Sequence, residues 1–443
     1  MLKNHVKNTV FRCFCALTVA LFPMHGEAQK LSFHIEQWTL KNKTEVFFVR
    51  RTELPMLDVQ MVFDAGSVRD DQQSGIAAFV NSMMGEGAEN LSSDQIAKNF
   101  ENVGAQFSSF ANRDMAGVSL RTLTDPKYLS PALHNFKIVI TTPTFPLVAL
   151  NRVKQQTIAG LQSEAQDPQT IAKNAFFAAL YPHHPYGTNP LGNAKSIQAF
   201  TPKELTAFYK KYYVGANADL ILVGDITESD ARKIADEVAG SLPEGVKPTA
   251  IAKAEKTDQP ASVDINFPAT QSTVLIGQVG ITRHDPNYFP LIVGNAVLGG
   301  LPMSSILYEQ VRDKRGLAYV VGSGFDPLAY RGPFLMEILT KSSSVVETKT
   351  LAMDLLKQYV ETGPTEAQLI AAKKNLMGAF PLSLASNRGI LSAVTNVAFY
   401  HRPLGYFDTY VDQINAVTVD QVKKAFEHTV NTKKMVTVVV GQK

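Results

Sequence analysis

Two kinds of hydrophobic pattern alternate along this chain of 443 residues. Short runs in which apolar and polar residues alternate, such as 45–50 and 58–63, are typical of strands. Longer segments with apolar residues three to four positions apart predict helices over 93–103, 147–163 and 366–380. Because both kinds occur in each half, we predict an α+β fold in which helices pack on mostly antiparallel sheets.

The chain also repeats itself with an offset of 217 residues. The segment Ile-Gln-Ala-Phe-Thr at 197–201 is matched by Ile-Asn-Ala-Val-Thr at 414–418, and Gly224 is matched by Gly441. In both blocks a Thr suited to cap a helix is followed three residues later by Glu or Gln, and a β-rich run ending at Gly comes next. The repeat therefore predicts two homologous domains.

Composition places the boundaries of these domains. Residues 243–262 are rich in Pro, Lys, Ala and Thr and lack apolar periodicity, which is typical of a linker. We therefore predict a signal peptide at 1–28, an N-terminal domain at 29–242, this linker, and a C-terminal domain at 263–443.

The signal peptide is predicted from three features. Basic residues precede an apolar stretch at 13–22, and Gly26 and Ala28 supply the small side chains of a cleavage site. The apolar stretch is too short for a permanent anchor, and no later apolar run approaches about 18 residues. We expect an exported protein with no stable membrane anchor, located in the periplasm or, as a second choice, secreted.

Composition and charge exclude several functional classes. With 45% hydrophobic and 19% charged residues, the chain is globular rather than disordered. The net charge of +3 falls to about +1 without the signal peptide, and no basic stripe interleaved with aromatics is present, so we predict no nucleic-acid binding. Both cysteines, Cys13 and Cys15, lie in the signal peptide, so the mature chain has neither a disulfide nor a cysteine nucleophile.

The segment 75–83, Gly-Ile-Ala-Ala-Phe-Val-Asn-Ser-Met, follows an extended apolar run that ends in a Gly-Ser turn. This arrangement resembles the pitrilysin/insulinase family of zinc peptidases, the inverzincins, and most closely its two-domain branch of bacterial and mitochondrial processing peptidases. In that family the helix reads G-x-A-H-F-x-E-H-M: the two His hold zinc, and the Glu takes a proton from zinc-bound water. Here those three positions are Ala78, Asn81 and Ser82.

These replacements remove the chemistry of the zinc site. Ala78 has no donor atom, Ser82 is a poor neutral ligand, and the amide of Asn81 accepts no proton near neutral pH. The resemblance places the third zinc ligand at Gly160, eight residues before Pro168, so that ligand is missing as well. No two His stand three or four residues apart to form a substitute site. We therefore predict no metal and no cofactor on this chain.

A second signature is nearly complete at 298–319. The resemblance implies that Arg312 and Tyr319 reach a zinc site across a closed chamber, where they grip the substrate backbone and stabilise the oxyanion. Ile306 departs from the family pattern, in which Arg usually follows the paired serines. Two alternatives remain open: Arg312 forms an ion pair with Glu309, and Tyr319 is an ordinary buried strand residue.

The resemblance implies a fold of two similar domains that face each other like a clamshell, and it suggests three functions. The first is a non-catalytic subunit, inactive alone, that supplies Arg312 and Tyr319 in trans to a homologous, zinc-bearing peptidase subunit. Its peptide substrate would bind along 105–110 by strand addition. The second is a non-enzymatic peptide-binding or scaffold protein. The third, an active zinc peptidase with unconventional ligands, agrees least with the sequence.

Overall fold

The computed structural model describes residues 33–255 and 259–442, so the predicted signal peptide lies outside the described residues. Strands and helices mix in both halves. The strands are β1 (Glu36–Thr39), β2 (Glu45–Arg50), β3 (Met56–Phe63), β4 (Gly87–Ala88), β5 (Leu91–Ser92), β6 (Gln106–Ala111), β7 (Ala116–Leu123), β8 (Ala218–Gly224), β9 (Ala261–Asn266), β10 (Gln271–Val279), β11 (Ala318–Phe325), β12 (Pro333–Lys341) and β13 (Val436–Gly441).

The helices cover most of the remaining chain. They are α1 (Ile76–Ser82), α2 (Ser93–Glu101), α3 (Pro126–Thr141), α4 (Leu147–Glu164), α5 (Pro168–Leu180), α6 (Ala194–Ala199), α7 (Pro202–Tyr212), α8 (Glu228–Ala239), α9 (Tyr288–Asn295), α10 (Val345–Thr362), α11 (Glu366–Ser383), α12 (Asn387–Phe399), α13 (Tyr406–Ala416) and α14 (Val419–Thr429).

Each half is built on one large sheet, and the two sheets share a topology. In the described residues, the N-terminal sheet has the order β1-β2-β8-β3-β7-β6, and the C-terminal sheet has the order β9-β13-β10-β12-β11. Among the described strands of these two sheets, only β2 with β8 and β9 with β13 pair in parallel; the other neighbours are antiparallel. This arrangement confirms the predicted α+β class and the internal repeat.

The two halves exchange helices, which the sequence did not predict. Helix α12 of the C-terminal half packs on β3 and β8 of the N-terminal sheet. Helix α5 of the N-terminal half packs on β10 and β13 of the C-terminal sheet. As a result β3, whose apolar and polar residues alternate in the sequence, is buried along nearly its whole length. Each core is completed by the other half.

The predicted element boundaries needed small corrections. The helix predicted over 93–103 ends at Glu101, because Gly104 has a φ of +63° and the Ala105 N–H turns back to the Phe100 carbonyl. The last two residues of the segment predicted as a linker, 243–262, belong to β9, since Ala261 begins the parallel pairing with β13.

The linker is also held in place. The guanidinium of Arg69 donates to the carbonyl oxygen of Thr249 at 2.7 Å, and the N–H of Ile251 donates to the hydroxyl of Tyr330 at 2.7 Å. Arg69 belongs to the N-terminal half and Tyr330 to the C-terminal half. These hydrogen bonds fasten this part of the linker to both domains.

A buried carboxylate joins the halves directly. Asp114, in the turn between β6 and β7, is 1% exposed. It accepts hydrogen bonds from the hydroxyl of Tyr186, the hydroxyl of Tyr400 at 2.9 Å, and the backbone N–H of Ala329 at 2.9 Å. Burial raises the pKa of Asp114, while these donors oppose that rise. The last two donors come from the C-terminal half, so Asp114 anchors one domain to the other.

Candidate functional site

Helix α1, which carries the degenerate zinc motif, has a well-defined start. Gly75 precedes it with a φ of +90°, and a Cβ atom there would lie 2.7 Å from the Leu191 carbonyl oxygen, so only glycine fits. The carboxylate of Asp70 accepts from the N–H groups of Gly75 at 2.7 Å and Ala77 at 3.0 Å, which satisfies two unpaired donors of the first turn. Burial nevertheless raises the pKa of Asp70 to about 7.

The three degenerate positions do not share one environment. Ala78 is half-buried, Ser82 is exposed, and the Ser82 hydroxyl donates to the Phe79 carbonyl of its own helix at 2.8 Å. Asn81 is only 2% exposed, and its amide donates to the Gly117 carbonyl of β7 at 3.0 Å. The amide of Asn81 therefore fastens the helix to the sheet. Residues of these types do not fit a zinc ion.

Gly160 lies on the exposed side of α4. A Cβ atom built on it meets no other atom within 4 Å, so this site has room for a larger side chain. In residues 33–255 and 259–442, no group of three or more His, Cys, Asp or Glu is arranged to hold a metal ion. The helix that carries the degenerate motif is nevertheless formed, as α1.

We expect the mature chain alone to bind no stoichiometric zinc and to hydrolyse no peptide, because the ligand positions hold no metal-binding groups. Restoring His at Ala78 and Ser82 together with Glu at Asn81 is expected to be insufficient, while adding Gly160→Glu should increase zinc affinity. Metal analysis and zinc titration check both expectations. A tightly held zinc in the unmodified chain, with chelator-sensitive proteolysis, would contradict them.

The second signature folds into an irregular helix followed by an edge strand. The residues Tyr308–Asp313 form a π-helix, a rare form that is frequent at functional sites. Gly316 then ends the helical segment with a φ of +62°, and its N–H donates to the Arg312 carbonyl at 2.9 Å. The pairing of β11 with β12 shifts between Ala318 and Val320, which leaves Tyr319 in a β-bulge. This geometry turns Tyr319 out of the sheet.

Arg312 and Tyr319 are neighbours in space. The guanidinium carbon of Arg312 lies 5.5 Å from the ring centroid of Tyr319 and 4.8 Å from that of Tyr308, so the cation lies against both rings. Tyr319 is 67% exposed, which contradicts the alternative of a buried strand residue. Glu309 pairs with Lys314 at 2.6 Å and not with Arg312, which contradicts the other alternative.

The structure does not bring this pair into contact with the degenerate helix. Within the described residues, no hydrogen bond, ion pair or ring contact joins Arg312 or Tyr319 to Ala78, Asn81 or Ser82. The same holds for Gly160. Tyr319 is therefore exposed, Arg312 is half-buried, and neither is engaged by those positions of its own chain.

Sequence reasoning missed two features of the junction between the halves. A cavity of about 260 Å³ with mixed charge lies there, with Asp219 from β8 and Arg283 from the C-terminal half among its lining residues. A groove beside β6 contains Arg388 of α12. Both combine residues more than 60 positions apart in sequence, so no local spacing could indicate them.

Comparisons with known proteins agree with this architecture. Residues 50–195 match the family model described as Insulinase (Peptidase family M16), and residues 199–376 match the one described as Peptidase M16 inactive domain. The crystal structure of a peptidase M16 inactive domain from Pseudomonas fluorescens is 37% identical, covers 92% of this chain and 98% of that chain, and superposes with a TM-score of 0.89.

Two curated relatives extend the likeness over most of the chain. A protein of Helicobacter pylori named Non-peptidase homolog YmxG is 25% identical over 86% of this chain and 88% of its own length. A protein of Bacillus subtilis named Uncharacterized zinc protease YmxG is 22% identical over 88% of this chain and 94% of its own length.

The fold and site define a two-domain, peptidase-like protein whose zinc-helix positions carry no ligands. The chain belongs to the M16 (insulinase) family of peptidases. Relatives in this family include a protein named as a non-peptidase. In the part of the chain that the structure describes, no helix combines the length and hydropathy needed to cross a membrane.

Proposed function

We propose that this chain is the non-catalytic subunit of an exported, periplasmic heterodimeric zinc metallopeptidase. A homologous partner chain would hold the zinc and perform hydrolysis, and this chain would supply Arg312, Tyr319 and half of the chamber. The observation that carries the proposal is an intact Arg/Tyr pair, with Tyr319 exposed and Arg312 half-buried, in a chain whose own zinc positions lack ligands. A pair that makes no contact with those positions, and whose tyrosine is exposed, is suited to act on another subunit.

The chemistry of the pair fits a substrate backbone. Arg312 offers a planar fork of N–H donors, and the Tyr319 hydroxyl is a single directed donor, so both suit carbonyl oxygens. The cation–π contact between them orients the guanidinium without using its N–H groups. Neither side chain makes a hydrogen bond within the described residues, so both retain their donors for a ligand.

Strand β6 is the proposed place for the peptide. It is one of the two edge strands of the N-terminal sheet and, among the described strands, pairs only with β7, so one side of its backbone is open to an added strand. The equivalent edge strand β11 is partly covered. There the amide of Asn295 donates to the Ser323 carbonyl at 2.9 Å, and the backbone of Gly299 lies close to the Ser323 N–H. The two pseudo-equivalent edges therefore differ, and β6 is the better acceptor.

A test of the proposal requires the homologous chain with an intact H-x-x-E-H motif from the same organism. Each chain is purified alone and after co-expression, and complex formation and peptide hydrolysis are measured with and without a chelator. We expect a stable one-to-one complex whose chelator-sensitive activity well exceeds that of either chain alone. Full activity of the zinc-bearing chain alone, with no complex formed, would contradict the proposal.

A non-enzymatic peptide-binding protein is the second candidate, and the name of the Helicobacter pylori relative favours it. This alternative predicts peptide binding by the isolated chain, and no gain of activity with any zinc-bearing homologue. The same purification series therefore distinguishes the two functions.

A further inference from the structure

A polar groove of about 390 Å³ runs beside the open edge strand β6, between the N-terminal sheet and helix α12. Its walls come from both halves of the chain. Strand residues supply one wall, and α12 supplies Arg388, Leu391 and Ser392. A peptide added at β6 would lie along the mouth of this groove, so its side chains on that face would enter it.

Strand register determines which side chains line the groove. Gln106 of β6 lies opposite Arg121 of β7, which lies opposite Asp58 of β3. Because directly opposed residues point to the same face of a sheet, these three form one polar row.

The neighbouring row is Ser108, Ser119 and Gln60. The Ser119 hydroxyl donates to Gln60 at 3.0 Å, and the amide of Gln60 donates to the Thr395 hydroxyl of α12 at 2.8 Å. Both rows therefore face α12. Alternate side chains of an added strand would extend these rows.

Among the described residues that line the groove, only one charged side chain is left without a partner. The carboxylate of Asp58 accepts two hydrogen bonds from the guanidinium of Arg121, at 2.7 and 3.1 Å, so these two charges compensate each other. Arg388 is exposed and makes no ion pair or hydrogen bond within the described residues. The groove thus has a net positive charge from Arg388.

The corresponding groove of the C-terminal half has the opposite balance. It lies between β11 and α5, and its charged lining residues are Lys173, Asp326 and Glu337. Its edge strand is also partly covered by Asn295. A preference for acidic peptides that arises from Arg388 is therefore expected at β6 and not at β11.

We propose that Arg388 makes the β6 site selective for extended peptides with an acidic side chain on the face turned toward α12. This inference rests on the proposed peptide binding at β6 and adds the chemical class of the ligand. A carboxylate at one or two alternate positions would lie beside the polar rows and form an ion pair with Arg388. Because Arg388 is exposed, this pair is expected to change affinity by about twofold to fivefold.

The test uses a set of unstructured ten-residue peptides of Gly, Ser and Val that carry one Glu or one Gln at each position in turn. Dissociation constants are measured by fluorescence anisotropy for the unmodified chain, Arg388→Gln and Arg388→Glu. Arg50→Gln is the matched control, because Arg50 is also exposed and lines a different cavity of about 420 Å³.

We expect Glu to bind more tightly than Gln at alternate positions, with the difference reduced by added salt. The preference should vanish in Arg388→Gln, reverse in favour of Gln in Arg388→Glu, and persist in Arg50→Gln. Equal binding of the Glu and Gln peptides, or an acidic preference that survives in Arg388→Gln, would overturn the inference.

Peptides with N-methyl groups test the role of Arg388 separately from the proposed peptide binding at β6. Methylation of alternate backbone nitrogens blocks strand addition in one of the two registers. Loss of binding in one register, without any acidic preference, would refute the role of Arg388 and leave the proposed function intact. If methylation in neither register changes the affinity, or if no peptide binds at all, strand addition at β6 itself would be refuted.

Discussion

Replacing Tyr319 by phenylalanine is expected to lower the turnover of the assembled peptidase complex by about 100-fold to 1000-fold, or about 3 to 4 kcal/mol. The change removes only the hydroxyl that is proposed to stabilise the oxyanion. The ring beside Arg312 stays, and the side chain is 67% exposed, so folding should be unaffected. Arg312→Ala should have a comparable effect on kcat through loss of the donor fork. Melting temperature, complex formation and kcat are measured for each variant.

Tyr128→Phe is the matched control, since it removes a hydroxyl from a half-buried tyrosine of α3 far from the second signature in sequence. Its kcat should equal that of the unmodified complex. Full turnover of correctly assembled Tyr319→Phe and Arg312→Ala complexes would reduce this chain to a scaffold. Weaker folding or pairing with unchanged turnover would assign both residues a structural role.

Asp114→Ala is expected to destabilise the chain by about 3 to 5 kcal/mol. The substitution leaves the hydroxyls of Tyr186 and Tyr400 and the N–H of Ala329 without their shared acceptor in a buried site, and each unpaired polar group costs about 1 to 3 kcal/mol. Because the donors belong to both halves, docking of the domains should weaken as well. Denaturant unfolding and limited proteolysis of the linker measure the two effects.

Two further variants serve as a milder change at the same site and as a surface control. Asp114→Asn keeps one oxygen acceptor and should lose less stability than Asp114→Ala. Asp412→Ala removes an exposed carboxylate of α13 and should change the free energy of unfolding by less than about 0.5 kcal/mol. An Asp114→Ala protein that unfolds like Asp412→Ala would mean that the domains are joined without this carboxylate.

Hydrophobic periodicity predicted the helices and strands well where nearby residues alone determine them. The predicted helix over 147–163 is observed as Leu147–Glu164, and the predicted strand 45–50 matches β2. Ends were missed where a glycine conformation or a distant strand determined them, as at Gly104 and Ala261. The burial of β3 on both faces was not predicted, because its covering helix, α12, comes from more than 300 residues away.

The candidate site was likewise predicted in part. Its residue types were readable from the motifs, which named Ala78, Asn81 and Ser82 in one half and Arg312 and Tyr319 in the other. Their surroundings were not readable. The buried amide of Asn81, the bulge that exposes Tyr319 and the unpaired Arg388 depend on which elements pack together.

The sequence alone determined the class of protein, the internal repeat and the absence of zinc-binding side chains from the helix, because these depend on residue identity and spacing. Tertiary structure decided that the halves exchange α5 and α12, that Asp114 joins them, and that β6 rather than β11 offers the open edge. Those features arise from contacts between residues tens to hundreds of positions apart. Burial and hydrogen bonding in the folded chain select such contacts, and no local pattern encodes them.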